Sequence, residues 1–280
     1  MNLQVIVSTM FQKDYSLLDQ MNILSDAVVV NQCDEDNVSR FLYNGKQITW
    51  INSDTRGVGK SRNLGITYSH EDADIILFSD EDVVYNDSYC QKVLNFFESN
   101  PKCSLAVFNI LSLNSERPEF QIKKVEKLYH FNCLRYGAAR IAVKRKLLLE
   151  KGVMFSVLFG GGGRYQAGED NLFITQCIRK GFDCYTCPEV IGTAEQKEST
   201  WFKGYNEKYY ADRGALFQAM FRKTAMVYLL LMNIKEQFRK KSNISFLKRL
   251  KYSYLGMQDY KNLLSNGTSK EITVDNINNV

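Results

Sequence analysis

Three acidic residues follow an apolar run in the stretch DIILFSDEDV, residues 74–83. An extended backbone points residues i and i+2 to the same side, so Asp80 and Asp82 can face one point. Ligands of α/β proteins bind at the carboxyl ends of strands, and Mg²⁺ or Mn²⁺ prefers oxygen ligands. The stretch therefore predicts a divalent metal site that holds a diphosphate. A solvated acidic turn after a strand would have the same composition.

A second candidate is the glycine-rich stretch GGGGRYQAGEDN, residues 160–171. Glycine lets the backbone approach a ligand closely, and four successive glycines have no evident structural need, so we expect Gly162 and Gly163 to border a ligand. Glu169 and Asp170 then open a predicted helix, whose dipole stabilises acidic groups. An acid held beside a ligand can act as a general base. An ordinary helix start after a flexible loop is the alternative.

The stretch NSDTRGVGKSRNLGI contains the Gly-Lys-Ser of a nucleotide-triphosphate loop. That loop requires a glycine where this chain has Asp54, whose carboxylate would repel phosphate. Arg56 and Lys60 flank two glycines at a predicted helix start, and Arg62 and Asn63 lie one turn further. Arginine side chains and helix N-terminal N–H groups bind phosphate, so these residues are candidate ligand contacts. A surface loop with a basic helix start is the alternative.

Polar residues also follow the apolar run VVV in VVVNQCDEDN, where Gln32 and Asp34 are candidates for contact with a base or ribose. A plain acidic loop is the alternative. His70 and His130 have no partner at metal-ligand spacing, and we interpret them as structural or surface residues. No Ser-His-Asp or Cys-His arrangement has support in the sequence.

Short apolar runs alternate with helix-like segments through the first 190 residues, which predicts an α/β fold with a largely parallel sheet. Further helices are expected before Gly152, from Gly168 to Gly181, and from Trp201 to about Leu264. The predicted strands are Leu3–Ser8, Ala27–Val30, Ile48–Ile51, Ile75–Phe78 and Leu105–Leu111, and the early helices are Val58–Tyr68 and Ser88–Glu98.

The composition, with 45% hydrophobic and 24% charged residues, is ordinary for a soluble globular protein, and 280 residues are enough for one large domain or a domain with an appendage. The first ten residues are typical of a strand and not of a signal peptide. The apolar run AMVYLLLM has eight residues, and a bilayer requires about 20, so no membrane span is expected. Seven cysteines, including the pair Cys184 and Cys187 in an alternating pattern, predict buried free thiols and a cytoplasmic protein.

Charge is concentrated near the end of the chain. Residues 235–251 contain seven basic residues and one acid, a net charge of +6, whereas the whole chain carries +5, so the other residues sum to −1. No nucleic-acid partner is expected from a single patch. The basic, aromatic-bearing segment 235–254 is instead a candidate for peripheral contact with an anionic membrane, and an ordinary solvated helix is the alternative.

The motifs VIVSTM, VVVNQCDED, RGVGKSRNLGI, LFSDEDV and GGGGRYQAGEDNLF, in this order over about residues 1–190, resemble a family 2 glycosyltransferase of the GT-A type. The resemblance implies a Rossmann-like, mostly parallel mixed sheet flanked by helices, with a helical C-terminal extension. The stretch WFKGYNEKYYADRGALFQAMF is similar to a segment of bacterial members that build surface polysaccharides. We expect a catalytic domain at 1–195, the extension at 196–264 and a polar tail at 265–280.

The resemblance also implies a reaction: an inverting transfer of a sugar from a nucleotide sugar, with UDP favoured, to a hydroxyl of a glycan or lipid-linked acceptor. Asp170 would be the base, Glu169 is a candidate for binding or orienting the acceptor, and Asp80 and Asp82 would hold Mn²⁺ or Mg²⁺. The expected donor contacts are Gln32, Asp34, Arg56, Lys60, Arg62, Asn63, Asp80, Glu81, Gly162 and Gly163.

Two features depart from the family pattern. The usual aspartate pair after the second strand is Asn31-Gln32 here, and the late histidine that many GT-A enzymes use on the metal is missing, because no histidine follows His130. Three alternatives therefore stay open: a P-loop kinase or ATPase, a nucleotidyltransferase of similar fold, and a non-catalytic carbohydrate-binding protein.

Overall fold

The structure is a computed structural model that describes residues 1–116, 120–196, 204–239 and 243–266. Its centre is a nine-stranded sheet with the strand order β3-β4-β2-β1-β5-β8-β7-β9-β6. The strands are β1 (Leu3–Met10), β2 (Asp26–Gln32), β3 (Asn37–Tyr43), β4 (Lys46–Ser53), β5 (Ile75–Asp80), β6 (Val83–Tyr85), β7 (Leu105–Ser112), β8 (Ile141–Lys144) and β9 (Cys184–Ala194).

The sheet is mixed but mostly parallel. Strands β4, β2, β1 and β5 run in one direction, and β7 and β9 share it, whereas β3, β6 and β8 run the opposite way. The pairing places Met10 beside Gln32 and Ser8 beside Asp80. The carboxyl ends of β1, β2 and β5 therefore meet at one edge of the sheet.

Helices cover both faces of the sheet. Successive residues of its central strands point to opposite sides, so each face forms its own apolar core. Ile6 and Phe78 belong to one apolar core, together with Phe173, while Val5 and Leu77 belong to the other. The helices are α1 (Leu17–Gln20), α2 (Val58–Thr67), α3 (Tyr89–Ser99), α4 (Arg145–Glu150), α5 (Glu169–Arg179), α6 (Glu207–Phe221), α7 (Ala225–Arg239) and α8 (Phe246–Ser265).

The predicted fold class is confirmed, and all five predicted strands lie in the sheet. Of the other four strands, β9 contains the alternating pattern around Cys184 and Cys187, and β3, β6 and β8 were not predicted. Strand β3 begins at Asn37, at the end of the stretch VVVNQCDEDN, and β8 lies between β5 and β7, just before the predicted helix. Strands β6 and β8 have three and four residues, too few for a periodic pattern to be recognised.

Two of the C-terminal helices, α6 and α8, pack tightly against each other. A Cβ atom at Gly214 would lie 1.8 Å from the carbonyl oxygen of Ser253, and one at Gly256 would lie 1.8 Å from that of Ala211. The backbones of α6 and α8 are thus in direct contact, which only glycine permits. Phe217 of α6 also joins the main core. The domain boundaries stay a prediction, and most of the expected polar tail lies outside the described residues.

One stretch is long and apolar enough for a membrane span, contrary to expectation. It joins α6 and α7 over Glu207–Phe238, and 39% of its most apolar window is buried inside the fold. Core helices of soluble proteins have the same length and composition, so this property alone does not indicate a span.

Candidate active site

A cleft of about 1380 Å³ opens at the edge where β1, β2 and β5 end. The starts of α2 and α5 form a second wall, and α6 forms a third. Small-molecule sites commonly measure about 300–1,000 Å³, so this cleft has room for a ligand of nucleotide-sugar size and part of an acceptor. Its position agrees with the general location of ligand sites in α/β sheets.

The acids of the two sequence motifs line this one cleft. Asp80 and Asp82 lie at the end of β5 and just beyond it, and Asp170 lies in the first turn of α5. The tertiary fold thus brings two acidic motifs into one cleft, one at the end of a strand and the other at the start of a helix. The arrangement provides a pair of candidate metal ligands and a separate carboxylate within one cleft.

Arg62 connects the two walls. Its Nη2 donates to Asp80 Oδ1 at 2.7 Å, and its Nη1 donates to Glu169 Oε1 at 3.0 Å. The residue is only 3% exposed. Burial alone would lower the pKa of Arg62, but the carboxylates of Asp80 and Glu169 outweigh it and hold that pKa above its usual value. The guanidinium therefore stays charged and fixes α2, the end of β5 and the start of α5 relative to one another.

Asp170 has an unusual protonation equilibrium. Burial, followed by repulsion from Glu169, raises its pKa to about 8, although a backbone bond from Asn171 and the charge of Arg62 act in the opposite direction. Its Oδ1 accepts from the Asn171 N–H at 2.6 Å. A carboxylate whose pKa lies near working pH is well suited to accept a proton in a reaction.

Asp82 is also held in place. Its Oδ2 accepts from the Gln196 N–H at 3.1 Å, and burial, followed by repulsion from Asp80, raises its pKa. Arg62 binds Oδ1 of Asp80, and the Gln196 N–H binds Oδ2 of Asp82. In the described contacts, the other oxygen of each aspartate is therefore available to bind a cation. Two carboxylates that lie close enough to repel each other are a donor set that fits Mg²⁺ or Mn²⁺.

The cleft as a whole is acidic. Seven acids but only three arginines are among its lining residues: Asp80, Glu81, Asp82, Glu169, Asp170, Glu195 and Asp212 against Arg56, Arg62 and Arg213. A nucleoside diphosphate would meet net repulsion there. A divalent cation between the diphosphate and the aspartates would offset it, which is a second reason to expect a metal.

The glycine loop packs against the start of α2. Gly162 has φ +82°, and a Cβ atom there would lie 2.8 Å from the Cα of Gly57, while one at Gly160 would lie 2.6 Å from the carboxyl group of Glu169. The expectation that these glycines have no structural need is therefore wrong. Gly161 and Gly162 line the cleft, and the described lining does not include Gly163.

The predicted nucleotide contacts at the end of β2 also support the loops around them. Gln32 lines the cleft, and its Oε1 accepts from the Gly57 N–H at 2.7 Å. Arg56 lines the cleft as well, and its Nη1 donates to the Cys33 carbonyl at 2.7 Å. Asp34 pairs with Arg56, but its side chain is 85% exposed and lies outside the described lining.

Besides Asp34 and Gly163, two more of the predicted contacts lie outside the cleft wall. Asn63 is buried, and its amide both donates to and accepts from the backbone of Phe155, at 2.9 and 2.7 Å. It positions α2 on the core and does not face the ligand space. Lys60 is exposed and is not part of the described lining, so the Gly-Lys-Ser does not form a phosphate loop here.

Glu81, predicted to contact the donor, does line the cleft. Its carboxylate accepts from the Met10 N–H at 3.1 Å and from the hydroxyl of Thr9. Glu81 thus fixes the end of β1 beside the aspartates.

One wall of the cleft was not predicted. Tyr209, Asp212 and Arg213 of α6 line it, although the sequence indicated only a helix there. Glu236 of α7 pairs with Nη1 of Arg213 at 3.0 Å and holds the guanidinium against the rings of Tyr209 and Phe217. Asp212 and Arg213 follow Tyr209 by three and four residues, which places all three on one face of a helix. This spacing was the signal that could have identified them.

His70 is not isolated, contrary to the sequence-based interpretation. Its ring lies with the carboxylates of Asp26 and Asp72, and the three potential ligand atoms are all within 4.8 Å of one another. These residues lie where β2 begins and where the chain approaches β5. They are therefore at the opposite edge of the sheet from the cleft and do not belong to the candidate active site.

The part of the chain that carries β2 to β5 and the first acidic motif corresponds to a known sequence family. Residues 15–145 match Glycosyl transferase family 2. The resemblance predicted from the motifs is thereby confirmed, and the match supports a role in glycosyl transfer. The matched segment includes Arg62 and both candidate metal ligands, while Asp170 lies beyond it. No curated protein sequence matches the chain.

Several solved structures share the fold. The 1–349 fragment of S. aureus TarS is 15% identical, with a TM-score of 0.53, and the match covers 98% of this chain and 76% of that one. The same fragment in complex with UDP-GlcNAc gives a TM-score of 0.56 at 15% identity, with 98% and 77% covered. Against the longer TarS structure, also 15% identical, the TM-score is 0.54, and the match covers 98% of this chain but 46% of that one. At this identity the likeness concerns the fold alone.

Proposed function

We propose that the protein is an inverting glycosyltransferase that moves a sugar from a nucleotide sugar to a hydroxyl of a glycan or lipid-linked acceptor in polysaccharide biosynthesis. The observation that carries the proposal is the position of Asp170, a carboxylate with a raised pKa, across one cleft from Asp80 and Asp82. The family match of the segment that holds these two aspartates supports it.

In this mechanism Asp170 accepts the proton of the acceptor hydroxyl while the hydroxyl oxygen attacks the anomeric carbon. The new bond forms on the face opposite the diphosphate, so the configuration inverts. The bond between the sugar and the diphosphate breaks, and the diphosphate leaves with the electron pair. Glu169 stays bound to Arg62 and keeps the first turn of α5, with Asp170, in place.

Asp80 and Asp82 are the residues that would hold Mn²⁺ or Mg²⁺. A divalent ion bound there would neutralise the diphosphate and make it a better leaving group. Arg62 fixes one oxygen of Asp80, and the backbone of Gln196 fixes one of Asp82, so both carboxylates are oriented before the donor binds.

A metal-binding prediction follows. We expect Mn²⁺ to tighten UDP binding to the wild type at least about tenfold, since it offsets the acidic wall, and we expect Asp82→Asn to remove most of that gain. Calorimetry with UDP, with and without Mn²⁺, measures both. The exposed Asp87, outside the described lining, serves as the matched control, because Asp87→Asn should bind like the wild type. Equal Mn²⁺ effects in wild type and Asp82→Asn would contradict the assignment.

The donor is the first property to test. A panel of UDP-, GDP- and TDP-sugars is incubated with the protein and Mn²⁺, and released nucleotide diphosphate is measured. We favour UDP, and the UDP-GlcNAc complex of the structurally similar TarS supports starting there. Release of pyrophosphate in place of nucleoside diphosphate would identify a nucleotidyltransferase. If no donor in the panel is turned over, the sugar-transfer proposal fails.

We also propose that the protein acts in the cytoplasm, at the inner face of the cell membrane. All seven cysteines are free, and five of them, including Cys184 and Cys187, are buried. That thiol state fits a reducing compartment. A lipid-linked acceptor would be reached at the membrane surface.

A further inference from the structure

Helix α7 has a large apolar face on the outside. Its fully buried positions are Ala225, Leu229, Asn233 and Glu236, and the half-buried Tyr228 and Met232 also pack against the main core. Its outward positions are large and apolar, with exposures of 41% to 83%: Met226, Val227, Leu230, Leu231, Ile234 and Phe238. A surface helix of a soluble protein normally exposes polar residues on its outer face, and a contiguous exposed apolar face marks an interaction surface.

Exposed basic side chains lie on α7 and close to it in the chain. Lys223 precedes α7, Lys235 lies on it, and Lys248 and Lys251 on α8 are also exposed. The only acid in α7, Glu236, points inward to Arg213. In the described part of the chain, the outer face of α7 therefore combines apolar side chains with positive charge and presents no carboxylate.

The end of α7 and the start of α8 form one corner of this surface. Arg249 is buried and donates to the side chain of Gln237, which ties the two helices together. The neighbouring Phe238 and Leu247 are 83% and 74% exposed. Part of the basic segment 235–254 thus points inward, and the exposed apolar surface begins earlier in the chain, at Met226.

We propose that the outer face of α7, from Met226 to Phe238 and about 18 Å long, docks on an anionic phospholipid membrane. The apolar side chains would enter the boundary between headgroups and acyl chains, and the lysines would contact the lipid phosphates. This surface lies behind the cleft, because Glu236 on the inner side of α7 holds Arg213 on the cleft wall. Docking would thus bring the cleft close to the membrane, and the inference does not depend on the sugar-transfer proposal.

Charge favours lipid over the other possible occupant, a second copy of the chain. A twofold pairing of the outer faces of α7 would place Lys235 of both copies in one interface. Among the residues that the structure describes, the outer face of α7 offers no carboxylate to pair with these lysines. A position across the bilayer is disfavoured as well, because Ala225 and Leu229 belong to the main apolar core, and Asn233 and Glu236 would enter the hydrocarbon.

The test is co-sedimentation of the full chain with vesicles of phosphatidylcholine containing one third phosphatidylglycerol. We expect Leu230→Gln/Leu231→Gln to weaken binding at least about tenfold, since each substitution replaces an apolar side chain that would insert into the membrane with a polar one. The matched control is Leu42→Gln/Leu113→Gln, whose side chains are 73% and 64% exposed elsewhere. Lys248→Gln/Lys251→Gln should weaken binding roughly fivefold or more per lysine at low salt. Circular dichroism and thermal unfolding verify that each variant is folded.

Three results would overturn the proposal: wild-type protein that does not sediment with these vesicles at about 0.1 M salt, an α7 variant that binds as well as the Leu42/Leu113 control, or a wild-type dimer that the α7 substitutions convert to a monomer in sedimentation velocity. Loss of binding in the α7 variant with unchanged nucleotide release from a soluble donor supports it. Failure of the donor screen leaves this outcome unaffected.

Discussion

Asp170→Asn is expected to lower the turnover number about 10²–10⁴-fold, because the amide cannot accept the proton of the acceptor hydroxyl. The KM for the donor should change little, since in the proposed mechanism Asp170 contacts the acceptor hydroxyl and not the donor. The same substitution is expected to stabilise the fold. The folded-state pKa of about 8 exceeds the ordinary value of 3.8, so the folded protein binds this proton more tightly than the unfolded chain does.

The sign of the pH dependence follows from this difference. Between about pH 4 and pH 8 the folded state holds more protons at this site, so the wild type loses stability as pH rises through that range. Asparagine does not titrate, so the variant does not lose this stability as pH rises. We expect its free energy of unfolding to exceed that of the wild type by roughly 1–2 kcal/mol near pH 8, and the difference to fall towards zero near pH 4. Wild-type kcat/KM should rise with pH around a midpoint near 8.

Steady-state kinetics and urea unfolding at several pH values measure these effects. Asp183 provides the control: it is an acid whose pKa is lowered by Lys127, so Asp183→Asn should keep full activity and gain no stability at high pH. Retention of activity within tenfold in Asp170→Asn would rule out its role as the base. An equal stability gain at low and high pH would show that the pKa is not the cause.

The second large effect concerns Arg62. Arg62→Met is expected to lower the free energy of unfolding by about 2–3 kcal/mol, because it leaves the largely buried Glu169 without its partner. We place the value below the usual range for a broken buried pair, since the side chain of Asp80 is 43% exposed and water can solvate it. Mn²⁺-dependent UDP binding should weaken as well, because Asp80 loses its orientation.

A double variant separates the two causes. Arg62→Met/Glu169→Gln removes the unpaired charge, so it should recover a measurable part of the lost stability in urea unfolding. It should not recover UDP binding, since Asp80 stays unsupported. If the double variant is as unstable as the single one, the loss comes from packing, for example against the ring of Phe155, and the ion-pair account is wrong.

The prediction from sequence succeeded where the signal is local. An apolar run such as that of β5 must be buried on both faces, and an acid motif directly after it must lie at the edge of the sheet. Strand β3 was missed because an edge hairpin strand with a polar outer face resembles a loop. The loop glycines were misinterpreted because their need arises from contacts with Gly57 and Glu169, which belong to other elements.

The order and chemistry of the motifs determined the fold class, the acids after β5 and the acidic start of α5, since each depends on residues adjacent in the chain. Only the tertiary structure decided how Arg62 joins Asp80 and Glu169, why Asn63 faces the core, and how α6 reaches the cleft with Arg213. The physical reason is that backbone and burial preferences act over a few residues. Pairing between side chains far apart in sequence, such as Arg62 and Glu169, depends on how whole elements pack.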